Sequence, residues 1–193
     1  MSKIPCVICN ALILPSTSEK NGGLCMPCKT GTRKSIEAAK VRITEQRERE
    51  ISDPFRILWR ELVRRVHQNE LGFDGLSEPE KLYFSVGLLD GELYNGGFDQ
   101  YFFNHSGSYY EYATRGLGEM GAVQALELLQ RAKQVLFDFS DVPEDTTKRR
   151  HLFRERASPS RSQRLEVLNS LYCKDPDSIS VRSAAFARAH NLV

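Results

Sequence analysis

Four cysteines near the start of the chain constrain its folding most: Cys6, Cys9, Cys25 and Cys28 form C-x2-C-x15-C-x2-C. Two short Cys pairs at this separation are a zinc spacing. Each C-x-x-C bends into a knuckle that aims two thiolates at one point, and two knuckles close a tetrahedral site. Between them, "NALILPSTSEKNGGL" reads as a short apolar strand, a polar turn through Asn21-Gly22-Gly23 and a return strand. A hairpin is therefore expected between the knuckles, followed by a helix through "KTGTRKSIEAAKVRITEQRERE". Residues 1–30 read as a zinc ribbon or treble-clef module. A segment of about thirty residues buries too little apolar surface to fold alone, so the metal supplies its folding energy. Two disulfides are the competing reading. The opening "MSKIPCVICN" lacks the basic-then-apolar layout of a signal peptide, which points to a cytoplasmic, reducing address and favours metal. Four sulfur ligands leave no open coordination position, so the expected Zn2+ is structural. The fifth cysteine, Cys173, lies in an apolar helical run and is expected to be a small buried hydrophobe.

Beyond the cysteines the pattern is helix after helix. Residues 31–53 are rich in Lys, Arg, Glu and Ala, with Ile36, Val41 and Ile43 thinly spread, as in an exposed linker helix. Asp53-Pro54 opens the next helix, where Phe55, Leu58, Leu62 and Val66 form one stripe, widened by Trp59 and Val63. Ser77-Glu78-Pro79-Glu80 caps another, with Leu82, Val86, Leu89 and Leu93 on one stripe and Gly96-Gly97 at its end. A short aromatic helix, "FDQYFFNHSG", comes next. "YYEYATRGLGEMG", "AVQALELLQRAKQVLF", "RLEVLNSLYCKD" and "SISVRSAAFARAHNLV" supply four more, and the basic stretch after Pro143 reads as a surface loop with a short helix in it. The fold class expected for residues 54–193 is an all-α, multi-helix globular domain. No run of about 18 apolar residues exists, so no membrane span is expected.

Tyr94–Gly107, "YNGGFDQYFFNHSG", is the least ordinary stretch. His105 and Asp99 are its general-base candidates, and neither has a Ser or Cys nucleophile beside it. No P-loop, G-x-S-x-G, H-E-x-x-H or dinucleotide glycine pattern occurs, so the chain does not read as an enzyme. A helix–turn–helix corner explains the composition better. Gly96-Gly97 stops one helix, Tyr101, Phe102 and Phe103 face the core, and Asn95, Gln100, Asn104 and His105 satisfy backbone groups at the helix ends.

This stretch, with its preceding Glu92 and the following "YYEYATRGLGEMGAVQALELLQRA", resembles the E-x-x-N-G-G-F-x-Q-Y-F-x-N-x-S-G signature of a bacterial DNA-mimic protein family, that of the nineteen-kilodalton-type DNA mimic. Asn95, Gly96, Gly97, Phe98, Gln100, Tyr101, Phe102, Asn104, Ser106 and Gly107 match it, and the likeness runs over residues 54–193. The resemblance implies an all-helical, often dimeric domain whose signature forms the fold. Its acidic surface would imitate duplex phosphates toward a nucleic-acid-binding protein, or serve as immunity protein to a nuclease-type toxin.

Charge bears on this reading. The formal charge of +2 divides into +4 over residues 1–50, −8 over 51–145 and +6 over 146–193. Either the basic ends fold back on the acidic centre or the centre is left to meet a partner. The expected partner-binding acids are Glu78, Glu80, Asp90, Glu92, Asp99, Glu111, Glu119, Asp138, Asp141, Glu144 and Asp145. The alternative function is a nucleic-acid-associated regulator gripping phosphates with Arg33, Lys34, Lys40 and Arg42 and with Lys148, Arg149 and Arg150. No aromatic stands between the cysteines to stack a base, which counts against it.

Overall fold

Pro54 stands at the boundary between two units of the chain. The computed structural model describes residues 2–193, and the chain is 73% helical, with a small hairpin and its four-cysteine cluster at the N-terminus.

In the first unit, β1 (Ile4–Pro5) and β2 (Leu12–Ile13) pair antiparallel, Ile4 opposite Ile13 and Pro5 opposite Leu12. The first knuckle fills the hairpin's turn. Cys6 N–H donates to Ala11 O at 2.9 Å and Asn10 N–H to Cys6 O at 2.9 Å. The hairpin therefore encloses one knuckle instead of joining two, which corrects the expectation. The segment read as turn and return strand is a short helix, α1 (Pro15–Lys20). Pro15 at the first helical turn pre-sets φ and has no N–H to lose, so the helix starts there. The second knuckle opens a single turn, α2 (Met26–Lys29), and α3 (Arg33–Ser52) follows with no buried residue.

The second unit begins with α4 (Pro54–Gln68), whose Leu62 is buried in a small cluster with Leu76 and Phe84. Trp59 stacks on Phe84 at 5.3 Å between ring centres. The central element is α5 (Glu78–Phe103), opened by a capping box in which Glu80 accepts the Ser77 N–H at 2.7 Å. Around it pack α6 (Tyr110–Glu119), α8 (Thr146–Glu155), α9 (Pro159–Tyr172) and α10 (Ile179–Ala189), while α7 (Val123–Phe137) packs on α6 and α9. The expected stripe of Leu82, Val86, Leu89 and Leu93 is buried, as are Phe98, Tyr101 and Phe102. At about 1.5–3 kcal/mol for each large side chain buried, this aromatic and aliphatic core outweighs the modest helix propensity of the Gly-rich stretch.

Gly97 breaks α5 into two helical segments. Its φ of 77° and ψ of −171° lie outside helical space in a region that L side chains avoid. The break frees the N–H of Phe98, which donates to Asn169 Oδ1 of α9 at 2.9 Å. Asn169 packs directly over Gly97, leaving no room for a Cβ. Two readings of this corner are corrected. Phe103 is 37% exposed, with the Arg150 guanidinium over its ring at 4.7 Å, because it points away from the face that buries Tyr101 and Phe102. Asn95 is exposed, and the side chains of Gln100 and Asn104 serve a carboxylate, not the backbone. Cys173 is also exposed: it caps the C-terminus of α9 one residue beyond the buried Tyr172, so the apolar stripe ends before it.

Gly97→Ala is expected to lose at least about 3 kcal/mol of stability, from positive-φ strain, collision with Asn169 and an uncapped Phe98 N–H. Urea unfolding followed by far-UV circular dichroism measures it.

Candidate metal centre and acidic surface

The two knuckles converge. The Sγ atoms of Cys6, Cys9, Cys25 and Cys28 all lie within 4.8 Å of one another, and Cys9 Sγ and Cys25 Sγ are 3.6 Å apart. A tetrahedron with metal–sulfur bonds of about 2.3 Å has edges of about 3.8 Å, so the cage is the right size for one ion. The local fold favours the thiolate at Cys6 and Cys25 and opposes it at Cys28. Backbone N–H groups of Cys25 and Cys9 hold the Cys6 thiol down at about 6, and the Cys25 N–H donates to Cys6 Sγ at 3.3 Å. Burial works against ionisation at Cys25, yet its thiol stays below the usual range because Arg33 Nη2 donates to Cys25 Sγ at 3.0 Å. Burial pushes Cys28 up to about 12. Arg33 thus adds a positive charge beside a donor set that carries excess negative charge once loaded. The cysteines bear this out as a cluster fit to hold a metal ion.

The signature encloses a different kind of site. Glu92 of α5 accepts from Gln100 Nε2 at 2.6 Å, Asn104 Nδ2 at 3.0 Å and Ser106 Oγ at 2.6 Å. One carboxylate thereby ties together both sides of the Gly97 break. On the neighbouring strand of chain, Arg149 of α8 is wholly buried. Its Nε donates to Phe102 O at 3.0 Å, Nη2 to Asn104 O at 2.8 Å and Thr146 Oγ1 at 3.1 Å, and Nη1 to Pro143 O and Glu144 O at 2.6 Å each. All five guanidinium donors are used. Gly107 is tight for the same reason: a Cβ there would stand 3.0 Å from Arg149 Nε and from the backbone at Tyr101 and Phe102. Arg150 Nε donates to Phe103 O at 3.0 Å. Of the basic cluster read as a phosphate grip, Lys148 alone stays uncommitted to the signature, since the carbonyls ending α5 need donors that the helix cannot supply.

The eleven expected contact acids separate by duty. Glu80 caps α5 and meets Arg65 at 2.5 Å; Glu92 is the signature's hub. Asp90 accepts from the Tyr172 hydroxyl at 3.0 Å, and burial raises its carboxyl above the usual range. Burial likewise raises Asp99, which lies 3.7 Å from Arg161. Glu78 pairs with Arg115 at 2.5 Å and Asp138 with Arg156 at 3.1 Å, both at the surface. Asp145 caps α8 through the Lys148 N–H at 2.7 Å. Glu111, Glu119, Asp141 and Glu144 are exposed and make no ion pair among the described residues. Ser108 Oγ donates to Glu144 O at 2.7 Å, drawing the 138–145 loop up to the start of α6, where Glu111 stands in the first turn.

The chain belongs to the family of DMP19-like proteins, whose family model matches residues 74–190. That family is generally one of non-enzymatic DNA mimics, and it implies a protein partner. No curated protein and no solved structure matches the chain. Among the described residues no helix is long and apolar enough to cross a membrane. The duties of Glu92 and Arg149 are the features that sequence reasoning missed. The only signal was Glu92 just ahead of a run rich in polar amides; Arg149 lies far beyond that run in sequence and gave none.

Asp90→Asn tests the buried acid. The folded state holds the Asp90 proton to higher pH than the unfolded chain does, so the wild type loses stability as pH rises from the acid range. The variant keeps the Tyr172 hydrogen bond without that loss. It is expected to melt above wild type at pH 7, with the gap closing below about pH 4.

Proposed function

We propose that this chain is a non-enzymatic, protein-binding inhibitor that presents an acidic helical surface to a nucleic-acid-binding protein and keeps DNA from it. Family membership over residues 74–190 supports the class. The observation that carries the surface is a set of exposed acids without an ion pair among the described residues: Glu111 in the first turn of α6, and Asp141 and Glu144 on the loop that Ser108 and Arg149 tie down at Glu144. Carboxylates held at fixed spacing on a rigid frame steer a cationic partner and lose hold as salt rises. A nuclease-type toxin is one such partner, for which the protein would act as immunity protein. The first unit holds one Zn2+ through Cys6, Cys9, Cys25 and Cys28. Four thiolates suit this ion, which supplies folding energy and no reaction there. Arg33 offsets the charge of the loaded cage.

Two experiments test these readings. Purified chain is expected to carry one zinc per molecule by elemental analysis. Cys9→Ser removes it, and Arg33→Ala lowers zinc affinity about tenfold in chelator competition, in line with the effect of partners just outside a ligand set. Zinc retained by Cys9→Ser would sink the assignment. For the surface, immobilised full chain is exposed to the heparin-binding fraction of host lysate. It is expected to retain a nucleic-acid-binding protein that duplex DNA displaces, and the Glu111→Gln, Asp141→Asn, Glu144→Gln triple variant is expected to retain at least about tenfold less. Retention that DNA does not displace would refute mimicry.

A further inference from the structure

Phe139 is 92% exposed, the most exposed large apolar side chain among the described residues. It stands at the tip of a tight turn closed by Ser140 N–H to Phe137 O at 3.0 Å. The preceding Asp138 has φ 54° and ψ −126°, the first central position of a type II′ turn, where glycine is the usual residue. An aspartate held there is strained, and such strain persists where the surroundings over-determine it. Here they do. Asp138 N–H caps α7 through Gln134 O at 3.0 Å, and Arg156 Nη1 holds Asp138 Oδ2 at 3.1 Å. At the far end of the same loop, Arg149 takes Pro143 O and Glu144 O at 2.6 Å each, and Asp145 caps α8.

The ring is therefore displayed on a fixed frame, with Asp138 before it and Asp141, Glu144 and Asp145 after it. We infer that residues 138–145 anchor the partner interface: Phe139 enters an apolar slot on a nucleic-acid-binding protein, and the free carboxylates of Asp141 and Glu144 meet the Lys and Arg residues around that slot. Charge complementarity selects this occupant, because a slot that accepts a ring beside the free carboxylates of Asp141 and Glu144 needs a cationic rim. A rigid aromatic anchor in a polar rim is the usual anatomy of a binding hot spot. A ring directed into a slot is a contact that duplex phosphates do not offer, so it lets the inhibitor compete with DNA for longer than charge alone allows. Fixing the loop beforehand removes the ordering cost of binding. The inference rests on the acidic-surface reading above.

The same heparin-binding fraction of host lysate is the probe, with full-length wild type, Phe139→Ala and Phe139→Trp immobilised in parallel. Phe139→Ala is expected to lose at least about tenfold in retention of the DNA-displaceable protein, and Phe139→Trp to keep most of it. Melting temperatures are expected to match, since the ring is in solvent. If wild type retains nothing that DNA displaces, the acidic-surface reading fails and this inference with it. Retention that falls in the acid-neutralised variant but is unchanged in Phe139→Ala overturns the anchor alone. Sedimentation of the full chain decides the remaining occupant: a dimer that Phe139→Ala dissociates, with retention unaffected, would place the ring against a second copy and overturn the inference.

Discussion

The buried guanidinium of Arg149 is the contact on which the helical unit depends. Burying a cation without a carboxylate beside it is costly, and burial pulls the Arg149 pKa down. Backbone dipoles offset that cost: the carbonyls of Phe102 and Asn104 end α5, and those of Pro143 and Glu144 belong to the loop before α8. These are carbonyls that a helix end and a turn leave open. One side chain thus joins the family's signature corner to the loop that carries the acids. Removing it would take a donor from all four carbonyls at once, and among the described residues only Asn104 O and Glu144 O have a second one, from Gly107 N–H and Ser108 Oγ.

Glu92 is its counterpart on the other side of the corner, and the two do not pair. Its carboxylate is met by amide and hydroxyl donors from Gln100, Asn104 and Ser106. Neutral donors fix direction more strictly than a mobile cation does, because each offers its hydrogen along one line. The Gly97 break is held by this network on one face and by Asn169 on the other. These bonds hold the signature's residues to one another and to α9. Counting charge by segment hides this distinction. Of the acids in the −8 centre, Glu80, Asp90 and Glu92 serve the fold, while Glu111, Asp141 and Glu144 stay free at the surface.

Much of the fold was legible. The stripe of Leu82, Val86, Leu89 and Leu93, the cap at Ser77 and Glu80 and the helix start at Pro54 are periodicity and local hydrogen bonding, which act within one turn of chain. The cysteine cage was legible too, since two knuckles need only short segments to form. The hairpin between the knuckles was misplaced. "LPSTSEK" has polar turn residues that suit either a loop or a capped helix, and Pro15 tipped it to helix. Cys173 and Phe103 were placed in the core on composition, but where a helix ends and which way a ring points depend on the neighbouring helix.

By itself the sequence determined that this chain makes a four-cysteine module followed by a bundle of amphipathic helices that breaks at Gly97. Those features follow from residue spacing and backbone freedom, which neighbours along the chain set. Only the tertiary structure decided which charges are spent inside. Arg149 lies 47 residues from Phe102, and Asn169 lies 71 residues from Phe98. The same is true of the fixed turn that leaves Phe139 in water, since Arg156 and Arg149 reach it from α8 and its end. Such bonds depend on which helices pack together, and packing is a property of the whole core that no local pattern encodes.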